Sequence, residues 1–237
     1  MSIKYESIEV RRINFIVYIV NSGLLFFIFS PISNVRATSS TRYYAGYYYN
    51  GGSGPQHEGV QGNIFTIYPH VPYSETCAEW IDISLSIYEN YWVQLGYVHH
   101  WVWFIFPFLT VDFYVEKNDI NGRRMIYPTI LKPLNTHTYT YKLLLTGSGE
   151  FSYYVYESSN LIFSGVINTD PDNTVDLLAF VETSVTSIKI DGSHFMYLRY
   201  KYTGSQWPLW DRHEPYWDYP YYLDQRGHYE FAAYGGG

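Results

Sequence analysis

The stretch EWIDISLSIY, residues 79–88, alternates without a break: Ile81, Ile83, Leu85 and Ile87 fall on one side, and Trp80, Asp82, Ser84 and Ser86 on the other. A period of two is the signature of a pleated strand with one face in a core. The next stretch, YWVQLGY at 91–97, divides the same way, with Tyr91, Val93, Leu95 and Tyr97 opposite Trp92, Gln94 and Gly96. If the two are hairpin partners across Glu89, Asn90 and Tyr91, their polar faces coincide. A sheet face lined by Trp, Asp, Ser and Gln is suited to holding a polymer.

Working outward, ten runs of strand character follow one another: GNIFTIYPHV, EWIDISLSIY, YWVQLGYV, LTVDFYVE, TYTYKLLLTG, EFSYYVYE, LIFSGVI, VDLLAFVET, SIKIDG and FMYLRYKY. Between them KNDING, LTGSGE, ESSN, NTDPDN and IDGS supply Gly, Asn, Asp and Pro where turns need them. Nothing resembles a capped amphipathic helix, so the fold class is all-β, an antiparallel β-sandwich or a closely related barrel. Residues 38–62, rich in Tyr, Gly and Ser, read as an N-terminal strand or arm and then a loop, with Tyr43, Tyr44 and Tyr47 to Tyr49 stacked outside a sheet. The aromatic run Trp101–Phe108 is too short to span a bilayer and reads as buried strand or loop, or else as a lip of the groove or a partner contact. The segment 204–237, with Trp207, Trp210 and Trp217 among prolines, reads as an irregular C-terminal extension packed over a sheet, fraying at its glycines.

The start of the chain reads as an export signal. Lys4, Arg11 and Arg12 precede a mostly apolar run from Ile13 to Phe29, and Val35 and Ala37 suit a cleavage point after residue 37. Residues 38–203 then form the principal β-sandwich domain of a secreted protein, or of a membrane-anchored one if the segment is retained. Loss of the leader removes four basic and two acidic residues and takes the formal charge from −7 to −9, which argues against nucleic acid as a partner. One cysteine, Cys77, leaves no internal disulfide framework and reads as a small buried hydrophobe.

Further along, VDLLAFVETS sets Leu177, Ala179, Val181 and Thr183 against Leu178, Phe180, Glu182 and Ser184, so that a carboxylate closes an apolar strand. The succession GNIFTIYPHVP, AEWIDIS, WVQLG and AFVETS resembles the glutamic peptidases, the eqolisin type with its neprosin-like relatives, over about residues 60–184. The resemblance places Trp80 at the tryptophan of an A-W-[VI] strand, Gln94 and Gly96 at a Q-x-G motif, and Glu182 at the glutamate of an I-[IV]-E strand. It implies a concanavalin-like jelly-roll sandwich and a metal-independent endopeptidase acting on polypeptides. Glu182 and Gln94 would be catalytic, with Trp80, Trp92, Asp82 and Glu116 lining the cleft; no cofactor is implied.

The chemistry stands beside the resemblance. Peptide hydrolysis by an activated water needs a base, an oxyanion donor and an acid for the leaving nitrogen. A glutamate serves as base and then acid, and a glutamine offers both an N–H donor and a carbonyl acceptor. An ordinary Glu titrates near ~4.3, which suits an enzyme working in acid. Other constellations are weaker: His99 and His100 point to opposite strand faces, and the loops at 119–122 and 170–173 lack the bidentate acid of a calcium site. A glycosidase pair of Asp82 with Glu182 or Glu116 stays open, as does a non-catalytic sandwich that binds glycans through its aromatics or assembles at a surface.

Overall fold

The pleat read from residues 79–97 organises the whole molecule. In the computed structural model, which describes residues 41–50, 57–85, 91–103, 106–170, 174–202, 204 and 206–237, the expected all-β architecture holds. Among the described residues, fourteen strands form two antiparallel seven-stranded sheets. The leader read at 1–37 lies outside the described residues. Among those residues no helix is long and apolar enough to cross a membrane.

The first sheet takes the order β12-β1-β10-β3-β4-β5-β6. Its strands are β1 (Tyr43–Asn50), β3 (Cys77–Ser84), β4 (Trp92–Trp103), β5 (Pro107–Asp119), β6 (Gly122–Ile126), β10 (Asp176–Thr183) and β12 (Glu214–Trp217). The second runs β13-β14-β11-β2-β7-β8-β9. It is built from β2 (Gly59–Phe65), β7 (Thr138–Gly147), β8 (Glu150–Glu157), β9 (Asn160–Asn168), β11 (Ile190–Lys201), β13 (Tyr221–Gly227) and β14 (Glu230–Gly235).

One face of each sheet closes a common core. Ile81 and Ile83 of β3, Val93, Leu95 and Tyr97 of β4, and Leu177, Ala179 and Val181 of β10 meet Val60 and Ile64 of β2 and Tyr141 and Leu143 of β7. Each of the Val, Leu and Ile side chains among them contributes roughly 1.5–3 kcal/mol by leaving water. Cys77 is buried in the same core, as its sequence context implied. The residues of β3, β4 and β10 that face away from the core are therefore the ones the alternation set apart: Trp80 and Asp82, Gln94 and Gly96, Phe180 and Glu182.

Several expectations are corrected. The N-terminal tyrosines do not all stack outside: β1 lies inside the first sheet between β12 and β10, and Tyr47 and Tyr49 are fully buried in the core. The C-terminal segment is not irregular. Its β12 pairs with β1 at the sheet edge, where Pro215 costs no ladder bond. Its β14, free of proline, sits between β13 and β11 and buries Phe231 and Ala233. IDGS is a bulge within β11 rather than a turn, with the ladder register shifting between Asp191 and Ser193 and Gly192 at φ +80°.

The described residues of the run 101–108 are not buried. Strand β3 ends its pairing at Cys77↔His99, whereas β4 and β5 continue together to Trp103↔Pro107. The hairpin thus outruns its neighbour, leaving Trp103 68% and Phe106 77% exposed. Trp101 is tied back by its indole N–H to the Pro72 carbonyl at 2.8 Å.

One acid breaks the apolar face of β3. Glu79 is buried between the sheets, where its Oε1 accepts a 2.6 Å hydrogen bond from the Ser193 hydroxyl. Burial pushes its carboxyl up to about 8, against the opposing pull of hydrogen bonds from Ser193 and Tyr97. The folded chain therefore holds a proton here that the unfolded chain loses near an ordinary glutamate value. Its stabilising effect is full below about pH 4 and is lost as pH rises toward 8. Melting temperatures at pH 4, 6 and 8 should show this fall as the difference between the wild type and Glu79→Gln, the variant gaining on the wild type as pH rises. An equal slope in the two proteins would remove Glu79 as its source.

Candidate active site

On the outer face of the first sheet, antiparallel register aligns side chains in rows across the strands. One row reads Tyr44, Glu182, Ala78, Val98 and Asp112. The next reads Tyr216, Gly46, Phe180, Trp80, Gly96 and Tyr114. A third reads Leu178, Asp82, Gln94, Glu116 and Met125. An aromatic row thus lies between a row carrying Glu182 and a row carrying Asp82, Gln94 and Glu116.

The glycines of the middle row make this floor possible. A Cβ on Gly96 would press into the Glu79 carbonyl and stand 2.8 Å from Trp80 Cα and Cβ; one on Gly46 would stand 2.8 Å from Phe180 Cα and Cδ1. With no side chain at either position, the Trp80 and Phe180 rings pack at 5.5 Å between centroids. Ala78, Trp80, Val98, Tyr114 and Phe180 form a second buried apolar cluster, flanked by Tyr44, Met125, Tyr127 and Leu178.

Of the residues singled out in sequence, Trp80, Asp82, Gln94, Glu116 and Glu182 all belong to this arrangement. Gln94 and Glu182 are not cross-strand neighbours. Register sets them two strands and four residues apart, about 16 Å between Cα positions on a flat sheet. Trp80 is the diagonal neighbour of both. The interval between the amide and the carboxylate is therefore floored by an indole.

Glu116 is bound as an ion pair, where the sequence offered it as a cleft-lining acid. Its carboxylate accepts from Arg123, whose Nε contacts Oε1 and whose Nη2 lies 3.1 Å from Oε2, and from the Gln94 amide N–H at 3.0 Å. Gln94 is thereby held in one amide orientation, with its second N–H and its carbonyl not used by that bond. Arg123 was missed in the sequence. The signal was present in NGRRM, a turn glycine followed by a cation that pairing with β5 brings across from Asn118.

Glu182 pairs with Arg42 at 3.2 Å, a second cation missed in sequence, and Arg42 also donates to the Thr76 hydroxyl at 2.8 Å. Trp92 stands apart from the aromatic floor, beneath the Arg123 guanidinium at 5.7 Å from the ring centroid. His99 and His100 do point to opposite faces: His99 Nε2 lies 2.9 Å from the Ile67 carbonyl, and His100 Nε2 lies 3.0 Å from Asp112. Among the described residues no group of three or more His, Cys, Asp and Glu is arranged to hold a metal ion.

The acids of the site form one electrostatic unit. Burial, and then the charge of Glu182, pushes Asp82 well above the ordinary carboxyl range. Burial raises Glu116 too, exceeding the opposing pull of Arg123, and Glu182 adds to the rise.

An all-β sandwich whose outer sheet face gathers an amide and buried acids around an indole has the fold of the glutamic peptidases. Two crystal structures of scytalido-glutamic peptidase with transition-state analogues superpose with TM-scores of 0.62 and 0.60. At 9% identity they cover 83% and 84% of this chain and 99% and 100% of theirs. The eqolisin SCP-B, bound to the tripeptide Ala-Ile-His, superposes at 0.57 with 8% identity, over 83% of this chain and 99% of its own. No protein-family model and no curated protein matches the sequence.

The Arg123–Glu116 pair generates a prediction. Arg123→Ala leaves the Glu116 carboxylate buried without its cation. Because Arg123 itself is partly solvated, the loss should be about 1–3 kcal/mol, below that of a fully buried pair. The loss should shrink as pH falls and Glu116 protonates. Urea unfolding at pH 4 and pH 7 measures both; a loss that is larger at pH 4 would contradict this account of the pair.

Proposed function

We propose that the chain is a secreted, acid-acting endopeptidase that hydrolyses peptide bonds with Glu182, Gln94 and an activated water. The observation that carries this reading is the placement of Glu182 and Gln94 on opposite sides of the Trp80 row, in a fold shared with glutamic peptidases. Those relatives hold transition-state analogues or a peptide, so a polypeptide is the substrate assigned here. A peptide carbonyl and a water fill the interval over the indole.

Glu182 takes a proton from the water as its oxygen bonds to the carbonyl carbon. The carbonyl π pair moves onto oxygen, and the resulting oxyanion accepts from the second N–H of Gln94. When the C–N bond breaks, Glu182 returns the proton to the leaving nitrogen, giving a carboxylic acid and an amine. Trp80 supplies an apolar floor, and Asp82 holds its own proton in the working range. Raising the pH ionises Asp82 and Glu116 beside Glu182 and adds like charge to the site, so activity falls on the alkaline side.

Purified residues 38–237 should digest a denatured protein between about pH 2 and 5, in the presence of pepstatin and of EDTA. Glu182→Gln should abolish the digestion, and Gln94→Ala should lower kcat by about 10²–10³, the usual cost of one oxyanion donor. No cleavage at any pH by a folded sample would overturn the reading and favour a sandwich that binds glycans through its exposed aromatics.

A further inference from the structure

Two hydrogen-bond donors in the aromatic row have nothing to donate to. The Trp80 indole N–H and the Tyr114 hydroxyl are both buried, and neither has a partner among the described residues. They flank Gly96 in one row, and Gly96 has no side chain to fill the space between them. Gln94 is two residues from Gly96 on the same strand, so Trp80 and Tyr114 are its diagonal neighbours on either flank. Aromatic side chains reach across that diagonal spacing.

The Tyr114 hydroxyl also lies in the field of four charged groups of the site. Glu182, Glu116 and Asp82 each act on it, as does Arg123 in the opposite sense. Burial first, and then these carboxylates, hold the phenol well above its ordinary value. It therefore keeps its proton throughout the acid range and is a neutral donor there. Buried polar groups in folded proteins are satisfied as a rule, and each exception asks for an explanation, of which a catalytic role is one.

Resting on the endopeptidase reading above, we propose that Tyr114 is a second oxyanion donor. Its hydroxyl donates to the same carbonyl oxygen as Gln94 once negative charge develops there, and the Trp80 N–H lines that pocket. The proton stays on the phenol throughout, so the step needs no base beyond Glu182. The sequence shows Tyr114 only as one of many strand tyrosines in LTVDFYVE; its place beside Gly96 in the register sets it apart.

Tyr114→Phe removes only the hydroxyl and keeps the ring in its cluster. For an oxyanion donor, kcat should fall about 10²–10³-fold with KM changed less than about threefold. The melting temperature should stay the same or rise, since the hydroxyl lost has no partner among the described residues. Affinity for a phosphinic peptide, whose tetrahedral oxygens mimic the oxyanion, should weaken by a similar factor while affinity for an uncleaved peptide product does not. A variant that retains kcat within about threefold beside an active wild type overturns the role of Tyr114 alone. A loss of activity that tracks a drop in melting temperature assigns Tyr114 to packing and overturns it too. An inactive, folded wild type that does not bind the phosphinic peptide overturns the endopeptidase reading and this inference with it.

Discussion

The pleat of β3 is the constraint on which the rest depends. A strand whose odd positions fill a dry core must send its even positions to the opposite face, and there Trp80 and Asp82 have no choice of direction. Register then does what no single strand can. It sets Gln94 and Leu178 beside Asp82, and Gly96 and Phe180 beside Trp80. A slip of one residue in any of these pairings would exchange the catalytic candidates for core isoleucines and leucines. The aliphatic side chains of the inner face therefore fix the geometry of the outer one, although they touch none of its chemistry.

That outer face is itself nearly closed, and its electrostatics follow from the closure. Asp82, Gln94 and Glu116 are each no more than 5% exposed. A carboxylate cannot be kept charged in such surroundings without a partner, because desolvation outweighs any benefit of ionisation. The molecule solves this in two ways. Glu116 and Glu182 receive arginines from β6 and from the residue before β1, whereas Asp82 holds a proton to higher pH. Glu79, on the core side, takes the protonated route as well. Glu79, Asp82 and Glu116 each favour the folded state more at low pH than at high pH, a conclusion that comes from burial and does not require a catalytic role for any of them.

The sequence made the two-faced strands legible because alternation is local, and β3, β4 and β10 kept their faces. Gln94, Glu182 and Asp82 were visible as polar intrusions in alternating patterns, with Trp80 on the same face as Asp82, whereas Glu116 entered through the family resemblance. Their grouping depended on which strands become neighbours, which periodicity does not encode. Tyr47 and Tyr49 looked like surface aromatics because β1 is interior only once β12, more than 160 residues later, has covered its other edge. The C-terminal segment was misread for the same reason. Prolines around β12 hid the proline-free hairpin of β13 and β14 that follows. The 101–108 run looked like core by composition, but it lies where β3 has already ended. Arg42 and Arg123 were overlooked because a cation near a turn or a terminus is ordinary until the acid it faces is known.

The unpartnered donors of Trp80 and Tyr114 invert the usual logic of a core. Each buried donor without an acceptor costs about 1–3 kcal/mol relative to a satisfied or apolar equivalent. Phenylalanine would fill the site of Tyr114 without that cost, and the same row carries a phenylalanine, Phe180, three strands away. The difference between the two positions is what surrounds them. Phe180 packs among Tyr44, Tyr48 and Tyr216, whereas Tyr114 lies within the field of Glu182, Glu116, Asp82 and Arg123. A buried hydroxyl facing these charges is placed for an acceptor that the described residues do not supply. An oxygen that becomes negative during reaction meets that description, because it draws on the donors only while the charge lasts.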